Sequence, residues 1–326
     1  MCQFHKRLGA LLSTSLFLFA PLAQSADYPE RPITMIVPFA AGGPSDNAAR
    51  SLAEALRKNM HQTVLVENRG GAGGTIGMGY AANAAPDGYT LLQMHAGFTT
   101  APSLYKNPGY DAKKSFDPIG LVLDVPMTLI ARSDFPANNV RELVDYIKAH
   151  PKDVNIGNAG VGSAAHLCGI MFSRAIGVDI LSVPYKGTGP AMNDLLGKQI
   201  DLMCDQTTNT TQQILAHTVK AYAVTSPQRM PSLPELPTMK EAGFEDFEIG
   251  IWVGLWAPKG TPAPILDKLV SSLQAATVDT AFKERMNGMG ATVLVDDANP
   301  KALSTKVDKE LVKWAALFKR AGVEPQ

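Results

Sequence analysis

The sequence predicts an α/β protein made of two lobes, and three observations support this fold class. Apolar strands alternate with amphipathic helices, which is the order of a parallel α/β sheet rather than of a β-sandwich or a helix bundle. A strand, a glycine-rich turn and a helix follow one another twice, at residues 33–46 and 154–166. Two extended segments, near residues 123–128 and 249–255, are predicted to cross between the lobes.

The two crossings determine how the chain is divided. Because the chain leaves the first lobe and returns to it, that lobe contains both ends of the mature protein, and the crossings are natural hinges. We predict that lobe 1 comprises residues 27–126 and 253–326, and that lobe 2 comprises residues 127–252. Roughly 300 residues are enough for two domains of ordinary size.

In lobe 1, each of the first helices follows a strand through a turn of suitable chemistry. Leu52, Leu56 and the alanines between them share one face of the first helix, and residues 86–89 (Pro-Asp-Gly-Tyr) form a turn. The predicted strands are 33–38, 63–68, 90–94 and 292–295, and the predicted helices are 46–60, 75–85, 264–277, 280–288 and 300–320.

Lobe 2 repeats the alternation of strand and helix. Its strands are short apolar runs, and a proline-rich stretch at residues 227–237 leads towards the second crossing. The predicted strands are 127–131, 154–157, 180–184, 200–204 and 219–225, and the predicted helices are 140–149, 163–176 and 190–196.

The N-terminus is typical of a secretory signal peptide. Lys6 and Arg7 precede an apolar stretch, residues 9–23, which is too short to span a bilayer comfortably and ends in small residues. We therefore expect residues 1–26 to be removed. Cys2 lies before the apolar core, so it cannot be the lipid-modified cysteine of a lipoprotein, and a soluble exported protein is predicted.

The charge and the motifs exclude several classes of function. Removal of residues 1–26 takes away two basic side chains and leaves 28 basic against 30 acidic residues, a net charge of −2, which attracts neither nucleic acid nor an anionic membrane. Residues 70–77 lack the glycine spacing of a dinucleotide turn, and Lys198 lacks the context of a phosphate loop. The six histidines form no Cys/His cluster, so neither metal nor cofactor is expected.

Two cysteines, Cys168 and Cys204, remain in the mature chain. In an oxidising compartment they can pair, but Cys168 lies on a predicted helix and Cys204 on a predicted strand, each among apolar neighbours. This placement favours two inert buried thiols over a disulfide.

The repeated glycine turns indicate an anion site without lysine or arginine. Each turn presents free backbone N–H groups at the positive end of a helix dipole, where a carboxylate can bind. Ligands of open α/β sheets lie beyond the carboxyl ends of the strands, so the two turns are expected to face one cleft and to form a clamp.

These turns and further motifs resemble one known family. The motifs are residues 38–46 (PFAAGGPSD), 66–74 (VENRGGAGG), 85–91 (APDGYTL), 183–187 (VPYKG) and 236–243 (LPTMKEAG). Together they resemble the Bug family, the periplasmic binding proteins associated with tripartite tricarboxylate transporters. The resemblance implies a type II Venus-flytrap fold in the periplasm, a small carboxylate ligand (a dicarboxylate, an amino acid or an aromatic acid), integral-membrane transporter subunits as partners, and a monomer.

The same resemblance implies which residues contact the ligand. In the family, the two glycine turns hold a ligand carboxylate largely through backbone groups and water. The first turn would contribute Phe39, Ala40, Ala41, Ser45 and Asp46. The second would contribute Asn158, Gly162, Ser163 and Ala164, with Asp205 and Thr188 near the cleft.

Several of these residues have alternative interpretations. Ser45 and Asp46 can serve only to cap a helix, whereas an Asp46 that faces the cleft would favour a ligand with an amine, amide or hydroxyl donor. Ser163 and His166 suggest a serine hydrolase, but the Gly-x-Ser-x-Gly elbow is absent, so His166 is expected to be structural and no enzyme is predicted. A binding protein that signals to a membrane sensor kinase remains an alternative to transport.

Overall fold

The computed structural model describes residues 28–320, 324 and 325. The expected signal peptide, residues 1–26, lies outside these residues. No helix within the described part combines the length and apolar character that crossing a bilayer requires.

Within the described residues, ten strands form one sheet whose two halves share a long strand. The strands are β1 (Ile33–Val37), β2 (Val64–Asn68), β3 (Thr90–His95), β4 (Phe116–Arg132), β5 (Asn155–Asn158), β6 (Leu181–Pro184), β7 (Leu202–Gln206), β8 (Val219–Val224), β9 (Gly250–Pro258) and β10 (Thr292–Val293). Their order is β2-β1-β3-β9-β4-β7-β5-β6, and β8 and β10, which lie outside this order, also pair with β4.

Helices cover the sheet and follow most of its strands. They are α1 (Pro44–Met60), α2 (Thr75–Ala82), α3 (Gly97–Leu104), α4 (Val140–Ala149), α5 (Ala164–Ile176), α6 (Thr188–Leu196), α7 (Thr207–Leu215), α8 (Ala263–Val278), α9 (Thr280–Gly288) and α10 (Pro300–Arg320). A 3-10 turn at Ala72–Gly74 precedes α2.

The long strand β4 connects two halves of similar design. Its residues up to Pro126 pair with β9, and its residues from Met127 onward pair with β7 and β8. In the first half β1 lies between the parallel strands β2 and β3, and in the second half β5 lies between the parallel strands β6 and β7. The two-lobed α/β fold class is thus confirmed, whereas the lobe boundaries remain a prediction.

Three elements differ most from the sequence prediction. Strand β4 is 17 residues long and mostly buried. Its residues Ile119–Leu123 are buried without a break, so the alternation that marks a half-exposed strand is missing there. Helix α3 contains Pro102, and α7 begins with the threonine-rich segment TTNTT, and neither composition favours a helix. Buried threonines of α7 donate to backbone oxygens of the neighbouring segment, which shows how packing overrides propensity: Thr207 Oγ1 to Gly290 O is 3.0 Å and Thr211 Oγ1 to Met289 O is 3.1 Å.

The prediction of two free thiols is wrong, because Cys168 and Cys204 form a disulfide. Helix α5 packs against β7, which places the Cα atoms of Cys168 and Cys204 5.9 Å apart. This distance is within the range that a disulfide requires. The sequence showed a helix and a strand with apolar neighbours, but it did not show that these two positions face each other.

Candidate ligand-binding site

A small cavity lies between the two halves, at the carboxyl ends of the parallel strands. It contains about 270 Å³ of space between protein atoms, with room for little more than one water-sized sphere. Both halves contribute to its wall. The lining residues are Phe39, Gly43, Pro44, Ser45, His95, Ala159, Ser163, Ala164, Ala165, Thr188, Asp205 and Gln206.

Four helices begin at this cavity. They are α1 at Pro44, α5 at Ala164, α6 at Thr188 and α7 at Thr207, and a residue within or next to the first turn of each lines the wall. The first-turn N–H groups of a helix have no partner within the helix, and each helix start carries about half a positive charge. The sequence predicted two such ends, α1 and α5. The structure adds α6 and α7.

The first glycine turn divides its predicted residues between the cavity and its surroundings. Phe39 and Ser45 line the cavity, and the Phe39 ring stacks on His95 with 4.9 Å between centroids. Ala40 instead lies where the two halves touch, because its N–H donates to the carbonyl of Lys186 at 3.0 Å. Ala41 is exposed, and its carbonyl oxygen lies against Gly189 of α6.

Asp46 does not line the cavity. Its carboxylate accepts a hydrogen bond from the Gly42 amide and another from Nε of Arg50, each at 3.0 Å. Burial alone would raise the pKa of Asp46, but the bonds from Arg50 and Gly42 lower it below its ordinary value. The contacts of Asp46 are therefore those of a residue that stabilises the glycine turn and the start of α1.

The second glycine turn divides its residues in the same way. Ser163 and Ala164 line the cavity, and Ser163 caps α5 by accepting from the backbone N–H of His166 at 3.2 Å. Asn158 lies behind the turn, where its Oδ1 accepts from the Gly160 amide at 2.9 Å. Gly162 contacts the other half, because its carbonyl accepts from the Thr100 hydroxyl at 3.0 Å.

The geometry of His166 is that of a structural residue. Its Nδ1 accepts from the Gly162 amide at 3.3 Å, and burial lowers its pKa. The contact between Ser163 and His166 uses the backbone N–H of His166, so the imidazole is not positioned as a general base for the hydroxyl.

Asp205 is fully buried in the cavity wall at the end of β7. Nδ2 of Asn209 donates to its carboxylate at 2.7 Å. Burial raises the pKa of Asp205 to about 6, although hydrogen bonds from Asn209, the Gln206 amide and the Thr188 hydroxyl lower it in part. The structure therefore brings the predicted residues Asp205 and Thr188 together in the cavity.

His95 lines the candidate site but was not predicted from the sequence. It ends β3, is 3% exposed, and accepts from the Gly97 amide through Nδ1 at 3.1 Å. Burial lowers its pKa to about 4, so the ring is neutral at pH 7 and Nε2 carries the hydrogen. The signal was its position at the carboxyl end of a parallel strand, where the ligand of an α/β sheet binds.

Glycines allow the two halves to approach closely beside the cavity. A Cβ atom on Gly189 would lie 2.8 Å from the Ala41 carbonyl oxygen, and one on Gly187 would lie 2.8 Å from the Ala40 nitrogen. Across the same gap, the Tyr105 hydroxyl donates to the Val161 carbonyl at 2.9 Å. These contacts between the two halves define a closed arrangement.

A larger groove lies elsewhere on the second half. It runs between β8 and the proline-rich stretch and includes Tyr222 and residues 232–237 in its wall. The helix starts that surround the small cavity do not border this groove. The small cavity is therefore the candidate site despite its size.

Comparisons with known proteins agree with this architecture. The sequence model of a family described as "Tripartite tricarboxylate transporter family receptor" (TctC) matches residues 48–323. A protein of Agrobacterium vitis, described as "UPF0065 protein in the TAR-I ttuE-ttuC' intergenic region", is 46% identical over 98% of this chain and 93% of its own length.

Two solved structures are similar along nearly the whole chain. The periplasmic binding protein BugD is 64% identical with a TM-score of 0.90, and the match covers 92% of this chain and all of that chain (100%). MatC from Rhodopseudomonas palustris, solved with bound malate, is 37% identical with a TM-score of 0.85, and the match covers 89% of this chain and 99% of that chain.

Proposed function

Because the chain belongs to the TctC family of tripartite tricarboxylate transporter receptors, we propose that it captures a small carboxylate, in particular a dicarboxylate, between its lobes for delivery to a membrane transporter. As a member of that family, it is a periplasmic solute-binding protein. The ligand class and the transporter are the parts proposed here. The malate bound by MatC supports a dicarboxylate as the ligand.

One observation carries the proposal: four helix starts converge on a buried cavity whose described lining residues include no lysine or arginine. Backbone N–H groups and helix dipoles favour an anion over a neutral molecule. Hydroxyls of Ser45 and Ser163 add short, neutral donors. A carboxylate is the small anion whose planar pair of oxygens such donors can share between the lobes.

The closed arrangement explains why capture depends on both lobes. A ligand of several heavy atoms exceeds the free space, so it must enter while the lobes are apart and be enclosed as they approach. Only a ligand that contacts both lobes favours the closed state over the open one. A transporter that recognises the closed state would then receive loaded protein.

The test is a calorimetric binding screen of the mature protein with malate, succinate, adipate, glutamate and nicotinate. We expect at least one dicarboxylate to bind, and Ser163→Ala to weaken each carboxylate that binds about tenfold or more, since hydrogen bonds to charged groups contribute about 1.5–3 kcal/mol. Ser173→Ala, at the other end of α5, is the matched control and should leave affinity unchanged. Equal effects of the two variants would contradict the site assignment.

The delivery step needs its own test. The strain for this test expresses this protein together with the integral-membrane permease genes that neighbour its own gene. Uptake of labelled ligand by the strain should be lost when the gene of the binding protein is deleted. If the neighbouring genes encode a sensor kinase and no permease, and uptake is unchanged by deletion of the chain, the transport role is wrong.

A further inference from the structure

The charges around the cavity do not balance for a dicarboxylate, and Asp205 is the reason. Four helix starts supply about two positive charges in total, which matches the two negative charges of a dicarboxylate. Asp205 would add a third negative charge inside the same buried wall. Two carboxylates that share a dry site cannot both remain ionised without cost, as in other carboxyl pairs.

No other group in the wall offsets that third charge. His95 is the second titratable residue among the lining residues, and it is neutral at pH 7 because it is buried. Arg50 lies near the first turn, but it pairs with Asp46, so the two charges cancel. Lys186 precedes Gly187 at the rim, and its side chain is exposed to solvent.

The elements packed around β7 bring no further free charge to Asp205. The residues that contact its side chain or backbone are uncharged: Asn209, Thr188, Thr128 and Gln206. Charged or titratable groups on those elements have contacts elsewhere. His166 bonds to Gly162, Asp194 accepts from Tyr185, and Arg132 pairs with Asp201 and Asp134.

We infer that a dicarboxylate binds together with one proton, and that Asp205 carries this proton in the complex. The inference rests on the proposed function, since it concerns the ligand of the same cavity. The protonated carboxyl changes from an acceptor into a donor, so its O–H can bond to a ligand oxygen where an ionised carboxylate would repel it. The proton comes from solvent while the cleft is open, and no covalent bond of the ligand changes.

The consequence is a pH-dependent affinity with a definite sign. In the closed arrangement without a ligand, burial raises the pKa of Asp205 to about 6, and a bound dianion raises it further. Above pH 6 binding must therefore take up a proton, and affinity falls by up to about tenfold for each unit of pH. Below pH 6 the carboxyl is already protonated and the dependence flattens. His95, with a pKa of about 4, contributes little in this range.

Calorimetry with malate and its monoamide malamate at pH 6, 7 and 8 tests the inference. Titrations at each pH in two buffers that differ in ionisation enthalpy count the protons taken up. For malate we expect uptake to rise from about half a proton at pH 6 towards one proton at pH 8, and the Kd to rise by about fiftyfold between these pH values. Malamate carries one charge fewer, so its Kd should stay nearly constant and its proton uptake should be close to zero.

Asp205→Asn provides the decisive comparison. In this variant the malate Kd should become nearly independent of pH, because the amide is neutral throughout. Asp145→Asn, an exposed aspartate on α4, should retain the wild-type pH profile. Wild-type malate binding without proton uptake, or a pH dependence that persists in Asp205→Asn, would overturn the inference.

The outcomes also separate the inference from the proposed function. If carboxylates bind but dicarboxylates do not bind even at pH 6, the inference fails while carboxylate capture stands. If no carboxylate of the screen binds at any pH, the proposed function fails with it.

Discussion

At the scale of single residues, the site is built from neutral donors and one buried acid. Ser45, Ser163 and Thr188 provide hydroxyls, and His95 provides a neutral N–H. Asp205 differs from them because its burial raises its pKa to about 6. A buried carboxyl group that ionises near neutral pH is a stability cost in the free protein, and this cost can be measured.

Asp205→Asn should stabilise the ligand-free protein at high pH. The folded protein holds the Asp205 proton more tightly than the unfolded chain does, so stability falls as pH rises from about 4 through about 6. A pKa raised from 3.8 to about 6 corresponds to about 3 kcal/mol once both states are ionised. Urea unfolding at pH 8 should therefore show a gain of about 1–3 kcal/mol for the variant, and at pH 4 little change.

The matched control for this measurement is Asp145→Asn on α4. Asp145 is exposed, so its replacement should alter the free energy of unfolding little at either pH. A loss of stability in Asp205→Asn at pH 8 would mean that its carboxylate interactions outweigh its burial.

At the scale of elements, closure depends on the backbone of α6 meeting the first glycine turn. Gly189→Ala adds a helix-favouring residue to α6, but its Cβ would meet the Ala41 carbonyl oxygen at 2.8 Å and the Gly43 nitrogen at 2.9 Å. Backbone atoms cannot rotate away as a side chain can. We expect ligand affinity to fall at least tenfold in calorimetry while the thermal stability of the free protein is maintained.

Gly288→Ala is the matched control for this variant. Gly288 also lies in a helix, α9, and a Cβ atom there would have nothing within 4 Å. It should preserve both affinity and thermal stability. If the two alanine variants bind ligand equally well, the closed contact at Gly189 is not required for binding.

The disulfide fastens α5 to β7, which carry Ser163 as helix cap and Asp205 respectively. The bridge closes a loop with a sequence separation of 36. In the chain-entropy description, such a loop contributes about 3–4 kcal/mol to stability. Cys168→Ala with Cys204→Ala should lower the free energy of urea unfolding by about this amount.

A reductant supplies the comparison for the double cysteine variant. The wild-type protein unfolded in reductant should match the variant, and the variant itself should not respond to reductant. Equal stability of the oxidised wild type and the variant would show that the bridge contributes little.

At the scale of the whole molecule, the closed arrangement predicts a change of shape on binding. The small free volume and the contacts across the cavity require the lobes to separate before a ligand can enter. Small-angle scattering of the ligand-free protein should therefore give a larger radius of gyration than the radius calculated from the closed structure. A saturating ligand should reduce the radius of gyration towards the value of the closed form.

Gly189→Ala tests whether the change in radius of gyration depends on the contact between α6 and the first glycine turn. At a ligand concentration that saturates the variant, its radius should stay near that of the open form. An identical scattering curve for wild-type protein with and without every ligand that binds would contradict capture by lobe closure.

The sequence by itself determined the fold class, the family and the two glycine turns. These depend on local patterns: alternation of strand and helix, glycine positions and motif order are all properties of neighbouring residues. The family resemblance is confirmed, and helices α4, α9 and α10 begin and end as predicted. Of the residues taken from the resemblance, Phe39, Ser45, Ser163, Ala164, Thr188 and Asp205 line the cavity.

Only the tertiary structure decided the contacts between distant segments. It paired Cys168 with Cys204, placed His95 opposite the second lobe, and turned Asp46 towards Arg50. The threonine-rich segment forms helix α7 only because of its tertiary contacts. The same packing places the first residues of α6 and α7 at the cavity. A sequence records which groups a strand or helix carries, but charge balance and burial depend on which groups from remote segments meet, and that is fixed by packing.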